Sequence, residues 1–262
     1  MKFKKIIQQY WERNVPGLDV GLSKGYLLYS KEFYLEVDKN RFVMEPYIPK
    51  LINTIVENGK RLLEVGCGIG YDLREFSRRG MEVFGIDLSF KNTLLTKKGL
   101  DIFNLKGYVV TADAENLPFK DNSFDLVYSF GVLHHTPDTQ KAIDEIYRVL
   151  KTGGKCIIGL YHTGIAYYYI MIIHGFLSGR IFYMTKEQIL SRYYDNTPLS
   201  KIYSTREAKK FFRKFDNIKI EYATFGGIRN NKYFKWLWYT MLICPFLIRL
   251  LGSFIIIKAE KL

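Results

Sequence analysis

A regular alternation of short apolar runs and helix-length segments, between residues 61 and 160, constrains the fold of this chain most. The pattern predicts strands at 61–65, 82–86, 108–111, 124–130 and 155–160, with helices at 72–79, from residue 89 onward and at 139–150. Strands separated by helices of this length must pair in parallel through right-handed crossovers. The sequence therefore predicts a doubly wound α/β sheet that binds its ligand at the carboxyl ends of the strands.

The first of these strands ends in a glycine-rich turn. Residues 66–70 read Gly-Cys-Gly-Ile-Gly and directly follow the apolar residues that end at Val65. Glycines at alternate positions allow a sharp turn and a close approach of the backbone to a ligand. Glu64 is an unusual residue to bury in such a strand, and we expect it to have a positively charged partner.

Acidic residues follow the next two strands. Asp87 lies about 20 residues beyond the turn, where a carboxylate can accept hydrogen bonds from both hydroxyls of a ribose. Asp113 follows the third strand and could accept from the exocyclic amine of a purine, while the N–H of Ala114 could donate to the ring. Each acid alone would more often be a solvated charge or a helix cap. Their joint placement after successive strands favours a nucleoside site.

The segments outside this alternation predict accessory structure. Residues 1–59 are interpreted as an N-terminal helical cap, and residues 60–262 as the main domain, with a lid insertion at 162–203 and an apolar insertion at 228–250. Apolar residues recur at helical spacing in the cap, and they either pack on the core or close over a ligand: Tyr26, Leu27, Tyr29, Phe33, Tyr34 and Val37. Capping-box spacing predicts later helix starts at Thr185 and Ser204, the second helix running to Phe215. Two further strands, at 218–222 and 253–259, complete a seven-stranded sheet.

Charge and cysteine content narrow the functional classes. The formal net charge is +13, and the basic excess lies mainly in residues 161–262, which carry 16 Lys or Arg and 6 Asp or Glu. This distribution favours an anionic neighbour for the last third of the chain. The 3 cysteines occur singly, which predicts neither a zinc site nor a disulfide framework, and indicates a reducing, cytoplasmic setting. The N-terminus has no signal-peptide pattern.

The form of the glycine turn distinguishes between nucleotide-binding families. A dinucleotide fingerprint would require its third glycine at position 71, which is Tyr71. Five segments instead resemble the class I S-adenosylmethionine-dependent methyltransferases, in the branch that includes ubiquinone and menaquinone biosynthesis enzymes. They are residues 63–70 (LEVGCGIG), 85–89 (GIDLS), 113–119 (DAENLPF), 124–135 (FDLV through VLHH) and 148–154 (RVLKTGG).

This resemblance implies a fold, a cofactor and a set of binding residues. The family fold is a mostly parallel seven-stranded sheet whose last two strands are antiparallel. The implied cofactor is S-adenosylmethionine, with S-adenosylhomocysteine as the product and no metal. The implied binding residues are Glu64, Gly66, Cys67, Gly68, Gly70, Asp87, Leu88, Asp113, Ala114 and Ser129. Glu64 would organise the loop or meet the ammonium group, Leu88 would pack on the adenine, and the backbone from Ser129 to Gly131 would face the sulfonium and the substrate.

The resemblance also suggests candidate bases. Methyl transfer is an in-line displacement at a cationic sulfur, so positioning supplies much of the rate and a base is required only for a protonated acceptor. His134 and His135 follow the fourth strand, and His162 follows the fifth. Each of the three either positions the backbone or transfers a proton.

The acceptor and the partners stay open at this level. Residues 165–184 and 228–250 are apolar with basic flanks, which suits a lipid or membrane-resident substrate at an anionic inner membrane face, or a lid over a small hydrophobic substrate, or a homodimer surface. A run of thirteen to fourteen apolar residues containing Pro245 is too short for a membrane span. A non-catalytic protein that retains the pocket and a methyltransferase acting on RNA are alternatives. The chain shows no RNA-binding module, and nucleic acid is the less favoured partner.

Overall fold

A single seven-stranded sheet organises the fold. The computed structural model describes residues 2–224, 247, 248, 250 and 252–262. The strands are β1 Arg61–Val65, β2 Glu82–Asp87, β3 Tyr108–Thr111, β4 Phe124–Phe130, β5 Leu150–Tyr161, β6 Asp216–Ala223 and β7 Phe254–Glu260. Their order in the sheet is β3-β2-β1-β4-β5-β7-β6, with β7 antiparallel to both of its neighbours and the other pairs parallel. The predicted doubly wound, mostly parallel α/β sheet is confirmed.

Helices cover both faces of the sheet. The helices that follow β1, β2 and β4 are α5 Tyr71–Arg78, α6 Phe90–Ile102 and α7 Thr139–Val149. Successive side chains of a strand point to opposite faces. Leu63 accordingly packs in one apolar core with Ile143, while Leu62 packs in another with Ile52 and Phe76. The carboxyl ends of the parallel strands therefore meet at one edge of a sheet that has an apolar core on each face.

Four helices precede the sheet. They are α1 Lys2–Arg13, α2 Leu18–Ser23, α3 Lys31–Met44 and α4 Ile48–Ile55. On α3, Phe33 and Tyr34 are fully buried and pack near Ile69, in the glycine turn. The predicted helical spacing of Tyr26, Leu27 and Tyr29 was wrong, because α3 begins only after Ser30, whose side chain accepts from the N–H of Phe33, and the three residues are exposed. Division of the chain at residue 59 stays a prediction.

Several short helices connect β5 to β6. They are α8 Ile165–Ile170, a π-helical turn Met171–Phe176, a 3₁₀ turn Arg180–Phe182, α9 Lys186–Tyr193 and α10 Thr205–Phe211. Both predicted capping boxes are present, at Thr185 and Ser204. Helix α10 ends four residues before the predicted Phe215, which turns into the core. No helix in the described part of the chain is long and apolar enough to cross a membrane. The predicted insertion at 228–250 lies almost wholly outside the described residues.

Candidate active site

The turn after β1 approaches the second strand closely. The N–H groups of Gly66 and Cys67 both donate to the carbonyl of Ile86, at 2.8 and 2.9 Å. Gly66 has φ +80°, and a Cβ at this position would overlap the side chain of Val132. Gly68 has φ +55°, and a Cβ there would enter open space in the cavity that the turn lines. The glycines thus fix a bare stretch of backbone at the carboxyl end of β1.

Asp87 ties this turn to the end of β2. Its carboxylate accepts hydrogen bonds from the N–H of Gly68 at 2.9 Å, from the N–H of Ser89 at 2.9 Å and from the side-chain amide of Asn92 at 3.1 Å. Burial raises the pKa of Asp87, and the three donors act in the opposite direction. Asp87 therefore shapes the turn as well as facing the cavity. Sequence reasoning missed Asn92, whose signal was its place in the first turn of α6, five residues after Asp87.

A cavity lies beside the turn, at the carboxyl ends of β1, β2, β3 and β4. The predicted residues that line it are Gly66, Gly68, Asp87, Leu88, Asp113, Ala114 and His135, joined by Gly131. Asp113 and Ala114 follow β3, as the sequence predicted. The cavity thus brings together the turn, the carboxylate expected to hold a ribose and the loop expected to contact a purine.

Helix α1 forms the opposite wall of this cavity. Its apolar residues Ile7 and Trp11 line the cavity. A row of polar residues beside them, Lys4, Gln8 and Glu12, attaches the helix to the loops at the end of the sheet. Lys4 Nζ lies 2.5 Å from both Asp113 and Glu115 carboxylates. The sequence signal for this wall was the i, i+4 spacing of these residues, and sequence reasoning missed it.

Two further contacts complete that polar row. The amide of Gln8 donates to the Leu88 carbonyl at 3.1 Å. The Glu12 carboxylate accepts from the N–H groups of Phe90 and Lys91, at 2.6 and 3.1 Å. Because these two donors open α6, Glu12 acts on the positive end of that helix. Helix α1 is therefore attached along its whole length to the loops that follow β2 and β3.

Glu64 lies behind the turn without the positively charged partner that we expected. It is 3% exposed, and its Oε2 has no hydrogen-bond partner among the described residues. The arginines near it are engaged elsewhere, Arg41 with Asp72 and Arg74 with Asp38. Burial raises the pKa of Glu64 well above its ordinary value, and the nearby Asp72 adds to the effect. Glu64 does not itself line the cavity, although Val65 and Gly66, which follow it in the chain, do.

Three predicted binding residues support the turn from outside the cavity. Cys67 is buried, its Sγ lies 3.7 Å from Thr96 Oγ1, and burial raises the pKa of its thiol well above the ordinary value. The Ser129 hydroxyl is fully buried and donates to the carbonyl of Val65 at 2.8 Å. Gly70 caps α5. None of these three lines the cavity, and their predicted role in binding stays a prediction.

The three candidate bases occupy different surroundings. His135 lines the cavity, and its Nδ1 lies 2.7 Å from the Leu199 carbonyl, which can only accept. Nδ1 must therefore carry the proton, which leaves Nε2 as the acceptor. His134 is fully buried, stacks on Tyr161 with ring centres 3.7 Å apart and accepts at Nδ1 from the Tyr161 N–H. His162 is held between Gly252 and Thr205. Only His135 of the three faces the cavity.

A second, more open cavity adjoins the first. The two share Trp11, Pro16 and His135 as lining residues. Its other walls are Tyr10, Arg13, Asn14, Val15, Gly17, Leu18, Asp19, Leu22, Tyr161, Asp195 and Thr197. Asp195 Oδ2 lies 3.9 Å from His135 Nε2. Sequence reasoning missed Asp195, which no motif marks. The described residues include no group of three or more His, Cys, Asp or Glu side chains able to hold a metal ion.

Comparison with known proteins agrees with this geometry. Residues 63–158 match the family model described as a methyltransferase domain. The chain is 38% identical over 109 residues to phosphoethanolamine N-methyltransferase 2 of Caenorhabditis elegans, covering 40% of this chain and 25% of that protein. It is also 38% identical over 109 residues to the ubiquinone/menaquinone biosynthesis C-methyltransferase of Haemophilus ducreyi, covering 39% and 42%. The chain thus spans less than half the length of these relatives.

The fold is also similar to a solved structure. Phosphoethanolamine N-methyltransferase 2 of Haemonchus contortus, in complex with S-adenosyl-L-methionine, superposes with a TM-score of 0.63 at 18% identity, covering 100% of this chain and 60% of that one. At this identity the likeness shows the fold. The family model, the relatives and the sheet order agree that residues 63–158 form a methyltransferase domain.

Proposed function

We propose that this protein transfers a methyl group from S-adenosylmethionine to a small acceptor that has an apolar body. One observation carries the proposal: a single cavity is lined at once by the glycine turn, by Asp87 and by the loop of Asp113 and Ala114. The buried Glu64 supports it, because its Oε2 has no hydrogen-bond partner among the described residues and S-adenosylmethionine carries an ammonium group. An apolar body suits the second cavity, whose walls include Trp11 and Leu22.

When bound, S-adenosylmethionine supplies a methyl group on a cationic sulfur. The chain's own residues would orient it. Asp87 oxygens would accept from the ribose hydroxyls while keeping Gly68 in place, and Asp113 with the N–H of Ala114 would contact the adenine edge. Glu64 would pair with the ammonium group. Helix α1, through Ile7 and Trp11, would exclude water from the opposite side.

His135 is the candidate base that the geometry favours. It lines both cavities, and its unprotonated Nε2 is the nitrogen on the side of Asp195. Burial lowers the pKa of His135, and Asp195 acts in the opposite direction. A neutral imidazole at this position can take a proton from an acceptor. His134 and His162 keep a structural role in this proposal.

The first test is a calorimetric titration with S-adenosylhomocysteine. We expect Asp87→Ala to weaken binding about 10- to 100-fold, since each buried hydrogen bond lost at a carboxylate costs about 1–3 kcal/mol. Asp101→Asn, at an exposed position near the end of α6, is the matched control and should bind as the unaltered protein does. Unchanged binding by the Asp87 variant would refute the role of this residue.

The same titration, combined with a methyl-transfer assay, distinguishes a methyltransferase from a non-catalytic protein that only binds the cofactor. A protein that binds S-adenosylhomocysteine yet transfers no labelled methyl group to any acceptor of a broad panel would be the non-catalytic alternative. Failure to bind S-adenosylhomocysteine at millimolar concentration would refute both. The relatives named above bear names that indicate different acceptors, an amine and a quinone precursor, so the family leaves the acceptor of this chain open.

The acceptor is further proposed to be hydrophobic or lipid-linked, and to be met at an anionic membrane surface. Residues 165–183 expose many large apolar side chains, among them Tyr169, Phe176, Leu177, Phe182 and Tyr183. This exposed surface, here called the aromatic surface, includes Arg180 and is followed in the sequence by Lys186 and Arg192. Aromatic side chains beside basic ones suit the headgroup region of a bilayer.

A further inference from the structure

We propose that the second cavity receives the acceptor as a protonated amine, held between the carboxylate of Asp195 and the rings of Tyr10, Trp11 and Tyr161, so that the reaction is an N-methylation. This inference rests on the proposed methyl transfer and names the reacting group of its acceptor. Three features of the second cavity support it: the buried carboxylate of Asp195, the aromatic walls and the connection to the first cavity.

Asp195 is a largely buried carboxylate, and Arg13, which also lines its cavity, is exposed. The Asp195 side chain is 14% exposed. The hydroxyls of Thr197 and Ser200 donate to its two oxygens, at 2.7 and 3.0 Å. No Lys or Arg of the described ranges forms an ion pair with it, and His135 Nε2 lies 3.9 Å from its Oδ2. A buried carboxylate favours a positively charged partner, which a ligand can supply.

The walls beside Asp195 are aromatic. Tyr10 and Trp11 meet edge to face with ring centres 5.0 Å apart, and Trp11 lies 5.2 Å from the His135 ring. Tyr161 closes the other side, 5.7 Å from His135. The hydroxyl of Tyr10 donates to the carbonyl of Asn196, the residue that follows Asp195 in the sequence. This hydrogen bond holds the Tyr10 ring close to Asp195. Rings of this type attract an ammonium group through their electron-rich faces, and do so more strongly where water is excluded.

The connection between the cavities places the amine beside the methyl donor. Trp11, Pro16 and His135 are shared, so a group seated near Asp195 would meet the first cavity at His135. His135 Nε2 would accept a proton from the ammonium group, and the imidazolium would be stabilised by Asp195 at 3.9 Å. The freed nitrogen lone pair forms the N–C bond as the C–S bond breaks, its electron pair going to sulfur. The product leaves as a methylammonium ion, and His135 returns its proton to solvent.

The test uses the full chain saturated with S-adenosylhomocysteine and compares two probes of equal size, n-hexylamine and 1-hexanol, by ligand-observed NMR titration. We expect the amine to bind at least tenfold more tightly than the alcohol. Asp195→Asn should abolish this preference while leaving alcohol binding unchanged. Asp101→Asn, which removes an exposed carboxylate near the end of α6 and outside both cavities, is the matched control and should retain the preference.

The outcomes separate this inference from the proposed function. Binding of S-adenosylhomocysteine without any preference for the amine would overturn the inference and leave the methyltransferase proposal standing. An equal loss of both probes in Asp195→Asn would assign Asp195 a purely structural role and would also overturn it. Failure of S-adenosylhomocysteine to bind would refute the proposed function and the inference together. The comparison of the two probes on the unaltered protein decides the matter even where the Asp195 variant is unstable.

Discussion

Glu64 is buried and its Oε2 has no hydrogen-bond partner among the described residues, and its replacement should therefore affect the free and the liganded protein in opposite ways. Glu64→Gln should weaken binding of S-adenosylhomocysteine about 10- to 100-fold, because a hydrogen bond between charged groups contributes about 1.5–3 kcal/mol. The ligand-free variant should be at least as stable as the unaltered protein, since an amide is less costly to bury than a carboxylate. Calorimetry and urea unfolding measure the two effects.

The pH dependence of unfolding gives the control for Glu64. Burial raises the pKa of Glu64 in the folded protein above its ordinary value of 4.5. The folded state therefore retains a proton that the unfolded chain has released, and the free energy of unfolding falls as the pH rises from 4.5 through the folded pKa. Glu64→Gln should show a smaller fall over that window. Parallel curves for the two proteins would mean that Glu64 is ionised in the free protein.

The sequence predicted the acidic residues that lie at the ends of strands, and it missed Asp195, which lies in the long connection between β5 and β6. Asp87 and Asp113 were found because the alternation of elements fixes where parallel strands end. Asp195 follows α9 in a segment without any periodic pattern, and only the fold brings it to His135. Among three histidines of equal standing in the sequence, the tertiary contacts alone single out His135.

Helix α1 is the element whose position over the cavity the structure shows and the sequence did not predict. Its Glu12 accepts from two N–H groups at the start of α6, which attaches α1 across the cavity. Glu12→Ala should raise the dissociation rate of S-adenosylhomocysteine about 3- to 10-fold, because losing a charge-assisted contact at a helix start costs about 1 kcal/mol. Stopped-flow displacement measures this rate.

Two control measurements test whether the effect of Glu12→Ala is due to the attachment of α1. Gln9→Ala changes an exposed residue of the same helix and should leave the rate unchanged. The melting temperature of the ligand-free Glu12 variant should stay close to that of the unaltered protein, since the sheet and its two cores do not involve α1. A slower or unaltered dissociation in Glu12→Ala would show that α1 does not retain the ligand.

The first four strands were predicted closely, β5 begins at Leu150 and not at the predicted residue 155, and the N-terminal helices were predicted poorly. Strands buried on both faces are apolar almost throughout, so their ends coincide with a change of composition, as at Phe124–Phe130. A helix start depends instead on a single capping residue. Ser30 caps α3, so the helix begins after it although the apolar spacing continues on both sides of Ser30. Apolar spacing also does not indicate which neighbour a helix covers, and the sequence could not place Ile7 and Trp11 in the cavity wall.

Over the whole molecule, positive charge and the aromatic surface lie in the same third of the chain. We expect the protein to float with vesicles that contain anionic lipid at low salt and to be released as the ionic strength rises. Phe182→Ser should lower the bound fraction about tenfold, because burying a Phe side chain contributes about 1.5–3 kcal/mol. Leu27→Ser alters a side chain of similar exposure before α3 and should have no effect. No flotation at low salt would remove the membrane from the proposal.

Helix α1 is a wall of both cavities, through Lys4 and Ile7 on one side, Tyr10 and Arg13 on the other, and Trp11 between them. A movement that lifts the helix would open donor and acceptor sites in one event. Because this wall is common to both cavities, we expect both substrates to enter before α1 closes and both products to leave after it reopens. The release rates of the two products should therefore change together in any variant that loosens α1.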